Sequence, residues 1–466
     1  MQHAIVIAMP ALNLPSRLTL ATLAAAFFAA SSLTYAQTLA PTPPMGWNSW
    51  DSYGLTVTED QFRANTKALA DQLKPAGYQY AVVDEGWYLA NPNAANKPET
   101  LDYRLDANGR YQPALNRFAS ASGETGFSAL ASATHAQGLK FGIHIIRGVP
   151  KKAVSANLPV ANSSFHAADL ADTTDTCPWN PDNFGVKDTP AGQAWYDALF
   201  AQYAAWGVDY VKVDCIASHP YKAAEIHMIH RAIEKTGRPI ALSLSPGPAP
   251  LEQHEELAAN AQLWRISNDV WDVWKGDGPP APDAFPQPVS AQFPVIAAWN
   301  PYVKPGAWPD ADMLPLGKLE PTPGWGSPRT TRLTYDEQES LITLWAISRS
   351  PLFFGGNLTE LDDFTRTLLT NPDLIAVDQT AVASHQLQRT GNLVLWEADL
   401  PSNGHAFALF NLGDTPAVTS PFTSIGGAAA NFHVRNVWAA KEIGSVGDVK
   451  PLPIPPHGCV FFILKP

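Results

Sequence analysis

The chain has 466 residues, 45% of them hydrophobic, and a formal net charge of −12 at pH 7. This length accommodates a barrel of about 250 residues together with a smaller module. No basic cluster could follow a phosphate backbone, which argues against nucleic acid as a partner.

Residues 1–36 have the order of a secretory signal peptide. Arg17 precedes an apolar run over residues 18–30, and small residues follow up to Ala36. We therefore expect cleavage after Ala36, export to the periplasm or the cell exterior, and no stable membrane association of the mature chain. A membrane anchor is the alternative, although the run is short for spanning a bilayer. Met9 is an alternative start.

Between residue 44 and about residue 375, short apolar runs alternate with amphipathic segments of helical spacing. After a first run near Met45, the apolar runs lie at residues 80–84, 140–144, 209–214, 239–243, 263–265, 305–308 and 351–354. The repeated order of strand and helix predicts a parallel sheet, and eight such units predict a (β/α)8 TIM barrel over residues 37–378. In such a barrel, polar residues at the C-terminal ends of the strands form the active site.

Two long segments interrupt this alternation, residues 148–189 after the third strand and the proline-rich residues 275–290. Loops of such length are functional or disordered, and we expect both to form walls of a substrate cleft. After about residue 380 the pattern changes to short strand-like runs separated by Gly, Pro and Asn. The runs at residues 393–396, 405–410, 432–438 and 460–464 predict a C-terminal antiparallel β-sandwich over residues 379–466.

The chain contains three cysteines, Cys177, Cys215 and Cys459. An exported chain can oxidise its cysteines, and Cys177 and Cys215 could form one disulfide beside the strand-end residues. Cys459 lies in an apolar run and is interpreted as a buried free thiol. No spacing among the three resembles a zinc site.

Two aspartates at strand ends are the candidate catalytic residues. Asp214 ends the strand Tyr-Val-Lys-Val-Asp, and Lys212 lies two residues earlier on the same face. The lysine would hold Asp214 ionised, which suits a nucleophile, and a structural salt bridge is the alternative interpretation. Asp269 lies on the loop after the later strand that contains Arg265, and Asp272 is a competing candidate on the same loop.

Paired carboxylates across a cleft are the arrangement that glycoside hydrolysis needs. At a separation of about 5–5.5 Å, one attacks the anomeric carbon while the other protonates the leaving oxygen. The chain has no Gly-x-Ser-x-Gly elbow of a serine hydrolase, and no Gly-x-Gly-x-x-Gly for a dinucleotide follows a strand. A metal among Asp84, Glu85 and Asp214 is opposed by the nearby Lys212 and Arg265, so we expect neither a metal nor a cofactor.

Several motifs follow one another in a characteristic order over nearly the whole mature chain. They are residues 44–50 (Pro-Met-Gly-Trp-Asn-Ser-Trp), 83–87 (Val-Asp-Glu-Gly-Trp), 138–143, 207–214, 305–314, 344–352 and 375–379. In these motifs the sequence resembles the α-galactosidase and α-N-acetylgalactosaminidase family, the melibiase-like glycoside hydrolase family 27. The resemblance implies a barrel, a C-terminal β-sandwich and a retaining mechanism without a metal.

The resemblance also assigns the residues of the site. It makes Asp214 the nucleophile, and it makes Asp269 rather than Asp272 the acid/base, because Asp269 is the fourth residue after Arg265 as in the family's Trp-Arg-x-x-x-Asp. The residues that match those holding the terminal sugar are Trp47, Asp84, Lys212 and Arg265.

Four positions depart from the family's pattern. Glu85 replaces a second aspartate and is a methylene longer, and His144 replaces a tyrosine. Ser245 stands where galactosidases carry Glu and N-acetylgalactosaminidases carry Ser. These three residues are expected to contact the sugar. Cys215 follows the nucleophile by one residue, whereas the family's cysteine follows it by two, which weakens the disulfide assignment.

The leading hypothesis is a retaining exo-glycosidase that hydrolyses terminal α-D-galactosyl residues of oligosaccharides or polysaccharide side chains. Because Ser245 leaves more room than Glu, and because Glu85 is longer than Asp, the alternative is the same mechanism on another sugar. That sugar would be an α-N-acetylgalactosaminide, a β-L-arabinopyranoside or an α-1,6-glucan. A carbohydrate-binding protein that has lost catalysis is the third hypothesis, against which the presence of both aspartates argues.

Overall fold

The computed structural model of the chain describes residues 39–94, 97, 100–276, 281–419, 422 and 431–466. Residues 1–36, the predicted signal peptide, lie outside the described residues. Within the described ranges, no helix has both the length and the apolar character needed to cross a membrane.

Eight parallel strands form the first part of the fold. They are β1 (Met45–Asn48), β2 (Tyr80–Val83), β3 (Lys140–Ile146), β4 (Tyr210–Asp214), β5 (Ala241–Leu244), β6 (Leu263–Arg265), β7 (Trp308–Asp310) and β8 (Leu352–Phe354). Consecutive strands pair from β1 to β7, and β8 pairs with β1. Just after β7, Leu314 forms a parallel bridge with Phe354 and closes the ring. The predicted (β/α)8 architecture is therefore confirmed.

Helices connect the strands and cover the outside of the barrel. They are α1 (Glu59–Ala68), α2 (Ser128–His135), α3 (Pro190–Ala205), α4 (Ala223–Thr236), α5 (His254–Asn260), α6 (Val289–Trp299), α7 (Tyr335–Ser348), α8 (Asp363–Leu369) and α9 (Pro372–Thr380). Local sequence fixes several of their ends. Thr58 and Thr334 begin α1 and α7 with capping boxes, and Gly237 ends α4 in the left-handed conformation with φ 68°.

The strand pleat decides what faces the barrel axis. Successive side chains point to opposite faces, so Tyr210, Lys212 and Asp214 of β4 share one face. Tyr210 packs on Tyr80 and Phe353, with ring centroids 5.5 Å and 5.4 Å away, and these rings fill the barrel interior. Lys212 and Asp214 follow toward the C-terminal end of the strand. A layer of apolar side chains in the barrel therefore lies beneath the charged side chains at the C-terminal ends of the strands.

Residues 148–189 form a structured insertion after β3. Three short strands, Val149–Pro150, Ala171–Thr176 and Asn183–Val186, make a small antiparallel sheet, and two short helices, Lys151–Ser155 and Ala167–Leu170, accompany it. A disulfide between Cys177 and Cys215 joins the insertion to the end of β4, with the two Cα atoms 6.0 Å apart.

The C-terminal part is antiparallel, as predicted. Its strands are β9 (Val382–Thr390), β10 (Leu393–Leu400), β11 (Gly404–Asn411), β12 (Ala417–Thr419), β13 (His433–Asn436), β14 (Lys441–Ser445), β15 (Leu452–Ile454) and β16 (Cys459–Lys465). Six of them form one sheet in the order β9-β10-β11-β16-β13-β14, and β12 pairs with β15. The predicted β-sandwich is confirmed.

Both faces of the six-stranded sheet are apolar. On β11, Phe407 belongs to a core with Ile454 and Phe462 on one face, whereas Phe410 belongs to the core of the barrel on the other. The ring of Phe410 lies 5.0 Å from that of Phe293 on α6. The predicted boundary between residues 378 and 379 stays a prediction.

Candidate active site

Polar side chains at the strand ends meet in one cavity of about 460 Å³. Every predicted site residue except Trp47 lines it, namely Asp84, Glu85, His144, Lys212, Asp214, Ser245, Arg265 and Asp269. The alternation of side chains along parallel strands therefore brings together residues that are far apart in sequence.

An ion pair between Lys212 and Asp84 lies at the base of this ring of polar side chains. Lys212 Nζ is 3.0 Å from Asp84 Oδ2, and Asn48 Nδ2 donates to the same oxygen at 2.6 Å. Burial alone would raise the pKa of Asp84, but the charges of Lys212 and His144 and hydrogen bonds to Asp84 lower it to about 2. Asp84 is therefore ionised at neutral pH.

Hydrogen-bond donors surround the carboxylate of Asp214. The backbone N–H of Cys215 donates to Oδ1 at 2.7 Å, and the hydroxyl of Ser245 donates to the same oxygen at 3.3 Å. The indole N–H of Trp179 donates to Oδ2 at 3.2 Å, and His144 Nε2 lies 3.6 Å from that oxygen. Both carboxylate oxygens are thus held in place.

The electrostatic environment keeps Asp214 charged. Burial would raise the pKa of its carboxyl, but the hydrogen bond and charge of His144, and then the charge of Lys212, outweigh burial and lower the pKa. Burial likewise would lower the pKa of His144, yet the neighbouring Asp84 and Asp214 raise it. An ionised carboxylate suits nucleophilic attack.

Glu85 differs from its neighbours because its charge is disfavoured. Burial raises the pKa of Glu85 to about 7; the charge of Asp214 adds to this increase and the charge of His144 opposes it. Asn180, from the insertion, donates to Glu85 Oε1 at 2.7 Å. Glu85 therefore titrates near neutral pH.

Arg265 holds the second candidate catalytic residue. Its guanidinium lies 2.7 Å from Asp312 Oδ1 and 3.1 Å from Asp269 Oδ1. The side chain of Asp269 is 39% exposed, against 13% for Asp214, so it is free to meet a substrate in the cavity. Asp312, which has φ 88°, also accepts a hydrogen bond from the backbone N–H of Val270 and so braces the loop of Asp269.

Asp272 has a structural environment. Its side chain is fully buried in a two-bond ion pair with Arg329, whose nitrogens lie 2.6 Å and 2.9 Å from the two carboxylate oxygens. The backbone N–H of Arg332 donates a further hydrogen bond to it. Asp272 does not line the cavity.

Trp47 is not at the cavity, and this corrects its predicted place among the sugar-contacting residues. It is fully buried, donates its indole N–H to the backbone oxygen of Gly356 at 2.8 Å, and packs on Phe62 of α1. Asn48, the next residue on β1, points inward to the site, so the pleat sends Trp47 outward. Trp50 lines the cavity instead.

Several cavity residues were not named as site residues in the sequence analysis. They are Trp50, Asp51, Trp179, Phe285 and Asp312. Among them, Trp50 and Asp312 lie in the motifs that carry the family resemblance, and Trp179 and Phe285 lie in the two segments expected to form walls of the cleft. Burial raises the pKa of Asp51 well above its ordinary value, and its Oδ2 has no hydrogen-bond partner among the described residues. The cysteine spacing could have indicated Trp179, because a Cys177–Cys215 disulfide brings the insertion to Asp214.

Metal-ligating atoms also come together at this site. Glu85, His144 and Asp214 offer ligand atoms within 4.8 Å of one another. Lys212 adds a positive charge beside them, and the raised pKa of His144 favours its protonated form, which cannot ligate. This donor set fits the handling of protons and hydroxyl groups better than it fits a cation.

Comparison with known proteins places both parts of the chain. The family model described as alpha galactosidase A matches residues 170–380. The family model described as alpha galactosidase C-terminal beta sandwich domain matches residues 390–464. Alpha-galactosidase A of Cellvibrio japonicus is 28% identical over 92% of this chain and 93% of its own length.

Two solved structures are similar over almost the whole chain. The crystal structure of a β-L-arabinopyranosidase of glycoside hydrolase family 27 from Geobacillus stearothermophilus is 40% identical, with a TM-score of 0.82, and covers 92% of this chain and 97% of its own. A variant of that enzyme in complex with arabinose is 39% identical, with a TM-score of 0.83, and covers 93% and 99%.

Proposed function

Since the chain belongs to glycoside hydrolase family 27, the melibiase family, we propose that it is a retaining exo-glycosidase acting on terminal pyranosides of galacto configuration, with the β-L-arabinopyranoside as its preferred substrate. The observation that carries the proposal is one cavity lined by an ionised carboxylate, Asp214, and a more exposed one, Asp269. Retaining glycoside hydrolysis requires one carboxylate that attacks the anomeric carbon and a second carboxyl group that protonates the leaving oxygen.

In the proposed first step, a carboxylate oxygen of Asp214 bonds to the anomeric carbon and the bond to the leaving oxygen breaks. The protonated Asp269 gives its proton to that oxygen. In the second step Asp269 takes a proton from water, whose oxygen bonds to the anomeric carbon and releases Asp214. Two displacements retain the configuration of the anomeric carbon.

Polar groups deep in the cavity support recognition of one terminal ring. Asp84 accepts and Lys212 donates hydrogen bonds, and Arg265 adds a buried cation near Asp269. Sugar hydroxyls both donate and accept, so they can pair with each of these groups. This ring of charges suits a hydroxylated ring better than an apolar one.

The choice of sugar rests on size. β-L-Arabinopyranose has the ring configuration of α-D-galactopyranose but lacks the hydroxymethyl group. Glu85 reaches a methylene further than the family's aspartate, is held by Asn180, and occupies part of the cavity wall. A longer side chain favours the smaller sugar. Identity alone does not choose the sugar, because structures described as a β-L-arabinopyranosidase and as a putative α-N-acetylgalactosaminidase are both 40% identical.

The α-D-galactoside is the second candidate substrate. The 28% identical Cellvibrio japonicus protein is an α-galactosidase, and both substrates share their ring configuration. An α-N-acetylgalactosaminide is less favoured, because the hydroxyl of Ser245 is directed at Asp214 rather than left free for an N-acetyl group.

A panel of nitrophenyl glycosides tests the proposal, with dextran added to cover α-1,6-glucans. We expect the highest kcat/KM on the β-L-arabinopyranoside, lower activity on the α-D-galactoside, and a first product with retained configuration by NMR. Release from the α-D-galactoside alone would support the second candidate. Sugar binding without turnover of any substrate would contradict the enzymatic proposal and support a carbohydrate-binding protein.

A further inference from the structure

Two exposed aromatic rings lie in the lining of the cavity. Trp179 is 43% exposed and Phe285 is 56% exposed. Isolated apolar residues are common on protein surfaces, but these two belong to one cavity whose other members are largely charged. Phe285 has no role in the two displacements, and Trp179 enters them only through its hydrogen bond to Asp214.

Trp179 is anchored although its ring is exposed. Cys177, two residues before it, is bonded to Cys215 beside the nucleophile, and Asn180, the residue after it, is hydrogen-bonded to Glu85. Its indole N–H donates a hydrogen bond to the carboxylate of Asp214. The ring is thus held at the nucleophile with much of its surface unoccupied.

Phe285 belongs to a segment that is attached to the acid/base loop. The backbone N–H of Asn268 donates to the carbonyl of Pro282 at 2.7 Å, and that of Gln287 donates to the carbonyl of Asp269 at 2.8 Å. Phe285 lies between these two attachments. Its ring is therefore on the side of the cavity from which Asp269 would protonate a leaving group.

We propose that Trp179 and Phe285 form an aglycone subsite that binds the second pyranose ring of a di- or oligosaccharide by stacking. This rests on the proposed function, in which the leaving oxygen lies between Asp214 and Asp269. Trp179 is held at Asp214, and the segment that carries Phe285 is hydrogen-bonded to the loop of Asp269, so a departing sugar passes both rings. Rigid aromatic surfaces suit the apolar faces of pyranose rings, because stacking removes both from water.

The test compares two substrates with the same terminal sugar, a glycosyl fluoride and a disaccharide. Fluoride is a single-atom leaving group and cannot stack. For Phe285→Ala we expect the ratio of kcat/KM on the disaccharide to kcat/KM on the fluoride to fall about tenfold. Both values come from the same protein sample, so partial misfolding cancels from the ratio.

Trp179 requires two variants because its N–H also contacts Asp214. Trp179→Phe loses that hydrogen bond but keeps an aromatic ring, so both substrates should slow together and the ratio should stay near that of the unmodified protein. Trp179→Ala loses the ring as well, and the ratio should fall. Tyr335→Ala removes an aromatic residue that is 69% exposed outside the cavity and serves as the matched control.

Ratios within twofold of the unmodified protein for both Phe285→Ala and Trp179→Ala would overturn the subsite. Failure of the unmodified protein to cleave either substrate would overturn the proposed function instead. Transfer gives a second readout, since an acceptor hydroxyl can replace water in the second step. With the fluoride as donor and glucose as acceptor, the ratio of transfer to hydrolysis should fall in Phe285→Ala and stay constant in Tyr335→Ala.

Discussion

Asn180 Nδ2 lies 2.7 Å from Glu85 Oε1, so a residue of the insertion after β3 holds the carboxylate at the end of β2. Burial raises the pKa of Glu85, and the charge of Asp214 raises it further. The side chain proposed to choose the sugar is therefore held by a loop and coupled electrostatically to Asp214.

Glu85→Asp should shift the sugar preference. Removing one methylene opens the cavity wall, and a methylene in a pocket changes discrimination by about 10–200-fold. We expect kcat/KM on the α-D-galactoside, relative to that on the β-L-arabinopyranoside, to rise at least about tenfold. Glu85→Gln, which keeps the length of the side chain, is the matched control for this ratio. If both variants keep the original ratio, the length of residue 85 does not choose the sugar.

The stability of the protein should depend on the titration of Glu85. Its pKa is about 7 in the folded protein against an ordinary value of 4.5. Between these pH values the folded state binds more protons than the unfolded chain, so the free energy of unfolding falls as pH rises from 4.5 to 7. Asp84, with a pKa of about 2, acts oppositely, and its stabilisation is lost as pH falls below 3.8.

Glu85→Gln should remove this decline. In the unmodified protein, relative to Glu85→Gln, we expect the free energy of unfolding to be about 2 kcal/mol lower at pH 8 than at pH 5. This is less than the full pKa shift would give, because the carboxylate partly faces the cavity. Denaturant unfolding of both proteins at the two pH values measures it, with Glu252→Gln as an exposed control. Equal pH dependence in all three proteins would refute the assignment.

The strand-end residues were predictable because a parallel barrel has a simple rule. A period of two along β4 places Lys212 and Asp214 on one face, and barrel closure collects such residues from every strand. The same rule explains why Trp47 was wrongly placed at the cavity. The resemblance of residues 44–50 to the family's motif assigned the sugar contact to its first tryptophan, Trp47. The pleat of β1, however, directs Asn48 inward and Trp47 outward.

The remaining site residues depend on contacts between distant segments. Asp312 lies near Arg265 because its backbone takes a left-handed conformation just after β7, and no local pattern marks that turn. Trp179 and Asn180 reach the site because the insertion folds back as a small sheet. Only the possible pairing of Cys177 with Cys215 indicates where this insertion returns, and the spacing of its other residues does not.

Replacement of the two proposed catalytic aspartates should lower turnover in different ways. Asp214→Asn removes the nucleophile and should reduce kcat about 10⁴-fold on every substrate. Asp269→Asn removes the proton donor, worth about 10²–10⁴-fold, yet a fluoride needs little protonation to leave. The glycosyl-enzyme should then accumulate and be detected by mass spectrometry, and azide should restore turnover. If Asp269→Asn lowers kcat/KM equally on the fluoride and on the disaccharide, Asp269 is not the acid.

Asp272→Asn should change stability without changing chemistry. Asp272 and Arg329 form a buried pair, with side-chain exposures of 0% and 8%. Breaking such a pair leaves an uncompensated charge, which costs about 3 kcal/mol of the free energy of unfolding. Urea unfolding measures the loss, and kcat per folded molecule should stay within about threefold of the unmodified value. Loss of turnover in a folded Asp272→Asn protein would return Asp272 to the list of candidate acids.

Removal of the Cys177–Cys215 disulfide should affect stability and turnover together. The bond closes a loop with a sequence separation of 38 residues, for which chain entropy gives a stabilisation of about 4 kcal/mol. It also positions Trp179, whose N–H reaches Asp214. We therefore expect the Cys177→Ser, Cys215→Ser double variant to unfold at lower denaturant concentration and to lose kcat on both fluoride and disaccharide.

Thiol titration provides the control for that variant. Cys459 is buried and unpaired, so the denatured unmodified protein should expose one thiol without reductant and three after reduction. Cys459→Ala should leave the dependence of kcat on reductant unchanged, because Cys459 lies on β16, away from the cavity lining. If reduction lowers stability but not kcat, the disulfide stabilises the fold without positioning the neighbours of Asp214. The anchoring of Trp179 must then come from its hydrogen bond to Asp214 and from the bond between Asn180 and Glu85.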